Sequence, residues 1–208
     1  MTKRRLRWLR QETSKYAETH ARAQETRLFE DPDRVEVGNS VDEILEPAYL
    51  TTEIKAPNAR IVGVVLDADL AAAGRYERVR QLCSSLFPTL PNTMPEGGIV
   101  VHNDEKRFGL WVMPDNSSRG DLETFPRFLV PSEQQPLWQL ACDSVTAAVS
   151  AGADCRGTHI PKAQLYTWLA WQDPPGYSHG LALTRKILDP QSGHATAFVR
   201  WFRELYEV

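Results

Sequence analysis

Asp67 and Asp69, separated by one residue, follow directly on the run Ile61-Val62-Gly63-Val64-Val65-Leu66. That run is short, continuously apolar and rich in β-branched residues. It predicts a strand buried on both faces at the centre of a parallel sheet. Residues i and i+2 of a strand share a side, and ligands of open α/β sheets bind beyond the carboxyl ends of the strands. Two carboxylates placed there repel each other unless a cation lies between them. The pattern therefore predicts a divalent metal at Asp67 and Asp69, since Mg²⁺ takes one or two carboxylates plus water and phosphate oxygens. The competing assignment is that one aspartate caps the next helix while the other faces solvent.

A second acidic group follows the next apolar run. Asp115 stands at the end of Trp111-Val112-Met113-Pro114, with Asn116, Ser117, Gly120 and Glu123 behind it. Asp121 is placed to cap a following helix, leaving Glu123 in its first turn. Taken singly, Asp115-Asn116 is also a turn signal and Glu123 a favourable charge at a helix start. Their common location beyond strand ends makes Asp115 and Glu123 further candidate metal ligands.

The elements that would position these acids are readable. The composition from Thr13 to Arg27 favours helix. Asp31-Pro32-Asp33 breaks it, Arg34 to Val37 reads as a short strand, and Ser40 is a candidate N-cap with Glu43 three residues on. After Asp69, an apolar stripe of Tyr76, Val79, Leu82, Cys83 and Leu86 predicts a helix from Gly74 to Leu86. Gly98 to His102 and Phe108 to Met113 predict a β-hairpin around Asn103-Asp104-Glu105-Lys106. Beyond Pro114 the character becomes helical, with helices expected over about 121–129, 134–151, 161–172, 179–187 and 194–206. The expected organisation is a single domain over 1–208: an α/β core of about 1–130 and a helical extension, about 131–208, packed on it.

Composition narrows the function classes. Apolar content of 42% and charged content of 25% over 208 residues suit one globular domain rather than a disordered chain. The net charge of −3 conceals a basic start, Lys3, Arg4, Arg5, Arg7 and Arg10. Such a cluster meets phosphate or is simply solvated. No apolar run approaches the roughly 20 residues of a membrane span, and the basic start leads into no signal-peptide core. Cys83, Cys142 and Cys155 fit neither a disulfide framework nor a zinc pattern, so buried thiols in a reducing cytoplasm are expected. His20, His102, His159, His179 and His194 show no ligand spacing, and no Gly-rich phosphate loop marks an ATPase. Tyr166, Trp168 and Trp171 suit base stacking, but at these spacings they are expected to fill a helical core.

Together, Val64-Val65-Leu66-Asp67-Ala68-Asp69, Gly109-Leu110-Trp111-Val112-Met113-Pro114-Asp115-Asn116 and Gly120-Asp121-Leu122-Glu123 resemble the small stand-alone Toprim-like proteins. These form a domain of unknown function related to the topoisomerase–primase fold and to OLD-type nucleases. The resemblance continues through Lys162-Ala163, Tyr166 to Gln172 and Pro175-Gly176 to Phe198–Trp201, covering about residues 33–206. It implies a Rossmann-like, mostly parallel sheet flanked by helices, with a helical C-terminal part. It also implies Mg²⁺- or Mn²⁺-dependent phosphodiester chemistry on nucleic acid, and a separate ATPase as partner. Such sites begin with a glutamate after the first strand; Glu12 is the matching position, as general base or further ligand. Thr13 replaces the usual glycine there, and Tyr16 stands where a second acid is common. Lys162 would meet a phosphate or developing charge.

Two other readings stay open. One is a non-catalytic Toprim-like binding or regulatory module, favoured by the irregular Glu12 segment and the mild negative charge. The other is a phosphatase using Asp67 as nucleophile, although Leu70-Ala71-Ala72 lacks the hydroxyl residue such enzymes place nearby.

Overall fold

The computed structural model describes residues 40–57 and 59–208. The predicted helix from Thr13, the strand from Arg34, the basic start and Glu12 lie outside the described residues. Element order is α1 (Val41–Ile44), α2 (Pro47–Lys55), β1 (Ile61–Asp67), α3 (Ala72–Cys83), β2 (Ile99–His102) and β3 (Arg107–Met113). These are followed by α4 (Gln135–Ser150), α5 (Ile160–Ala170), α6 (His179–Thr184) and α7 (Gly193–Tyr206). The Ser40 hydroxyl accepts from the Glu43 amide at 3.1 Å, the expected cap of α1.

The described strands form a small mixed sheet in the order β1-β3-β2. β1 runs parallel to β3, with Gly63 opposite Gly109 and Asp67 opposite Met113. β2 and β3 make the predicted antiparallel hairpin. Two expectations need correction here. Among the described strands the sheet is mixed rather than mostly parallel, and β3 holds the centre. Phe108 to Met113 are all buried, whereas β1 leaves Gly63 exposed and Val65 43% exposed. An apolar run identifies a strand but not its neighbours, and β3 gains its burial by pairing on both edges.

The alternation of β3 divides the core. Phe108, Leu110 and Val112 join Val64 and Leu66 of β1 against α2 and α3. Trp111 and Met113 point the other way and pack with Trp201 and Leu205 of α7. A third cluster, around Leu165, Trp168 and Leu169 of α5 with Ala141 of α4, forms the interior of the helical half. Phe125 borders both of the latter clusters.

α7 lies on the sheet where two glycines leave room. A Cβ at Gly63 would stand 2.8 Å from Leu205 Cδ2, and one at Gly109 would stand 2.6 Å from the same atom. The paired glycines are thus a flat seat for the fully buried Leu205.

Other details depart from the sequence reading. Residues 121–124 form a turn ahead of a 3-10 helix, Phe125–Leu129, instead of one α-helix. Asp121 Oδ1 accepts from both the amide and hydroxyl of Thr124, at 2.8 and 2.7 Å, which holds the tight turn. α6 stops at Thr184, and Lys186 takes a left-handed φ of 58°. Of the cysteines only Cys83 is buried; burial pushes its thiol up to about 11, while Cys142 and Cys155 are half-buried. Trp168 is core, but Tyr166 and Trp171 are 46% and 42% exposed, contrary to the expectation of a helical core. No described helix is long and apolar enough to cross a membrane.

Candidate functional site

The carboxyl end of β1 presents Asp67 half-buried, with Oδ1 accepting from the Leu122 amide at 2.9 Å. Burial raises its pKa above the ordinary carboxyl value; the Leu122 hydrogen bond opposes this, and the charges of Asp121, Glu123 and Asp69 push it further up. Two loops cause this crowding. The loop after β1 meets the loop after β3 through a two-way backbone bridge: Asp69 N to Gly120 O at 2.8 Å and Gly120 N to Asp69 O at 2.9 Å. The bridge brings Asp121 and Glu123 close enough to act on Asp67.

Asp69 does not continue the strand alternation. Its φ is 51°, in the left-handed region, and its carboxylate is engaged by the Arg75 guanidinium of α3. Aspartate tolerates that conformation better than most residues. The i, i+2 rule therefore stops applying one residue before it was needed.

Glu123 reaches the helical half. Its Oε1 accepts from Lys162 Nζ of α5 at 3.0 Å, in a partly exposed pair. That bond and the negative charge of Glu123 raise the lysine's pKa, and Asp121 adds to the effect. His179 of α6 lies within reach of both charges. Burial lowers its pKa, Glu123 opposes that, and Lys162 reinforces it. The Nε2 atom of His179 is buried without a hydrogen-bond partner among the described residues. Asp121, Glu123, Cys155, His159, Lys162, Ala163 and Tyr166 line an open groove of about 660 Å³.

Asp115 lies elsewhere. It lines a separate cavity of about 360 Å³ with Glu96, Trp111 and His194, and it is not among the charges that shift Asp67. Its Oδ1 accepts from the Ser117 amide (3.0 Å), the Ser117 hydroxyl (3.1 Å) and the Ser118 amide (2.6 Å), and its Oδ2 accepts from the Ser118 hydroxyl (2.8 Å). Burial works against its charge, but the Ser118 and Ser117 bonds outweigh it and pull the carboxyl below the usual range. The neighbouring Asn116 is structural. Its Oδ1 accepts from Val112 N at 2.7 Å and its Nδ2 donates to Glu96 O at 2.9 Å, fastening the end of β3.

The arrangement thus gathers Asp67, Asp69, Glu123 and Lys162 around the joined loops, leaves Asp115 in its own turn, and says nothing of Glu12. Asp121, Tyr166 and His179 complete the neighbourhood. Asp121 was expected only to cap a helix, and Tyr166 to fill a core or stack a base; His179 had no signal and arrives by packing of α6. Among the described residues no three Asp, Glu, His or Cys side chains are already gathered for a metal ion.

No curated protein and no solved structure matches the chain. A family model does, over residues 13–207, nearly the whole sequence. The chain belongs to the family described as Protein of unknown function (DUF3226).

Proposed function

We propose that the protein is a Toprim-like, Mg²⁺- or Mn²⁺-dependent nuclease or related phosphoryl-transfer enzyme, with Asp67 as its central metal-binding residue. The observation that carries the reading is the backbone bridge between Asp69 and Gly120, which sets the loop bearing Asp121 and Glu123 beside the carboxyl end of β1, near enough for their charges to raise the Asp67 pKa. The donors are hard oxygens, which suit Mg²⁺ or Mn²⁺, and Mg²⁺ needs only one or two protein carboxylates. Asp67 and Glu123 would hold the ion, with Asp69 completing the shell on leaving Arg75. When bound, the metal would polarise a phosphodiester and neutralise charge on its oxygens. Lys162, beside Glu123, would meet a phosphate oxygen, and Glu12 keeps the role of base or further ligand.

Manganese calorimetry with Asp67→Asn tests the reading. Outer-shell substitutions alone cost about 10–100-fold in metal affinity, so losing a direct ligand is expected to weaken Mn²⁺ binding at least about tenfold. Metal-dependent cleavage of DNA or RNA should disappear with it. Wild-type protein that binds no Mn²⁺ and leaves both nucleic acids intact overturns the reading.

The same variant has a stability signature. Because the folded pKa of Asp67 lies above its unfolded value, the native state holds this proton more tightly, and its ionised form costs stability at neutral pH. That cost is relieved as pH falls through the folded value and is gone below the unfolded one. Asp67→Asn should therefore be more stable than wild type at pH 7, with the difference closing below about pH 4. Thermal melts across pH measure it.

A specific observation favours a second reading, a non-catalytic module that binds or regulates, with an ATPase as its partner. The Asp69 carboxylate is engaged by Arg75, Asp115 by two serines, and Glu123 by Lys162. Metal affinity without turnover on any nucleic acid would select it.

A further inference from the structure

The groove beside the acidic loops combines features that one class of ligand uses together. Tyr166 projects from α5 with 46% of its surface exposed, although the next turn of the same helix buries Trp168 and Leu169 completely. Its ring lies 5.5 Å from that of His179, tilted by 39°, so the phenol is held beside an imidazole. Lys162, one turn earlier, lines the same groove, and so does His159 at the start of α5. The ammonium spends one donor on Glu123 at 3.0 Å, and a lysine carries three.

The dimensions point the same way. The groove measures about 660 Å³, within the roughly 300–1,000 Å³ of small-ligand clefts. It is open to solvent rather than closed over, so its occupant can continue beyond it.

We propose that this groove seats an unpaired base of a single-stranded nucleic acid, stacked on Tyr166, with Lys162 meeting the adjoining phosphate. An aromatic face accepts any base, and a nearby cation follows the backbone. The inference deepens the proposed function by naming its substrate as single-stranded, and it rests on that reading for the use made of the bound strand. Binding itself needs no metal. Glu123 joins the groove to the neighbourhood of Asp67, so a base held on Tyr166 places its backbone beside the acidic loops.

The test uses the full chain in EDTA with short DNA and RNA oligonucleotides carrying 2-aminopurine, whose fluorescence is quenched on stacking. Saturable quenching by the wild type at low salt is expected with at least one of the two. Tyr166→Ala should weaken it about tenfold or more, the scale of one lost base stack, while Tyr166→Phe should retain it. Trp171→Ala, at an aromatic exposed at the C-cap of the same helix and outside the groove, should leave it unchanged. Base binding that survives while Asp67→Asn and wild type alike fail to take up Mn²⁺ would sink the metal reading and keep this one. Absence of quenching with both oligonucleotides overturns the groove proposal. So does equal binding by Tyr166→Ala, an equal loss in Trp171→Ala, or equally tight binding of 2-aminopurine mononucleotide.

Discussion

Trp201→Ala is expected to lower unfolding stability by about 3–5 kcal/mol, the usual range for removing a buried aromatic. Trp201 is 2% exposed, and its indole Nε1 donates to Ile99 O at 2.9 Å. Its ring sits 5.8 Å from that of Trp111 and 5.5 Å from that of Phe198. Alanine removes all three contacts at once and leaves a cavity between α7 and the sheet. It also strips a partner from the Ile99 carbonyl, a group whose desolvation costs about 1–3 kcal/mol if water cannot reach it. Urea denaturation reads the loss as a lower midpoint. Trp201→Phe fills most of the space without the indole donor, so a midpoint between those of wild type and alanine separates packing from hydrogen bonding.

Gly98→Ala is the second large effect, and its causes are independent of cavity formation. Gly98 has a φ of +79°, a region that other L-residues enter at a cost of roughly 1–2 kcal/mol. A Cβ there would stand 2.6 Å from Trp201 Cδ1 and 2.9 Å from Trp111 Cε3. Both rings are buried, so neither can swing aside cheaply, and overpacking adds about 1–3 kcal/mol. The combined loss should reach about 3 kcal/mol. Gly97→Ala is the control. Nothing lies within 4 Å of a Cβ at Gly97, and its φ carries no such restriction, so its melting temperature should stay close to wild type. Equal effects at both glycines would show that Gly98 is not held by these two tryptophans.

What the sequence made legible was local. The β-branched run before Asp67 marks β1, the turn at Asn103–Lys106 marks the hairpin, and the helical character beyond Pro114 marks α4, α5 and α7 within a residue or two. Strand order was not legible, because Ile61–Leu66 and Phe108–Met113 are similarly apolar and only pairing decides which is central. In the acidic site, Asp67 was identifiable from its place after a strand. The fate of Asp69 was not, since its left-handed backbone and its Arg75 partner depend on the bridge to Gly120. Asp115 misled for a related reason. It ends an apolar strand as Asp67 does, but two serines immediately downstream consume its oxygens. Neither Tyr166 beside the acids nor the Glu123–Lys162 link had a signature, because each depends on how the helical half docks.

The seat of Leu205 on Gly63 and Gly109 makes three positions answer to one another across more than a hundred residues of chain. A methyl group gained at Gly109 meets both Cδ atoms and the Cγ of Leu205, so the leucine must shift or give way to a smaller side chain, whereas one at Gly63 meets chiefly the terminal Cδ2. Gly109→Ala alone should be destabilising, and coupling it with Leu205→Ala should recover part of what the two single changes lose when summed. In this chain the three positions are therefore expected to tolerate change in step more readily than one at a time.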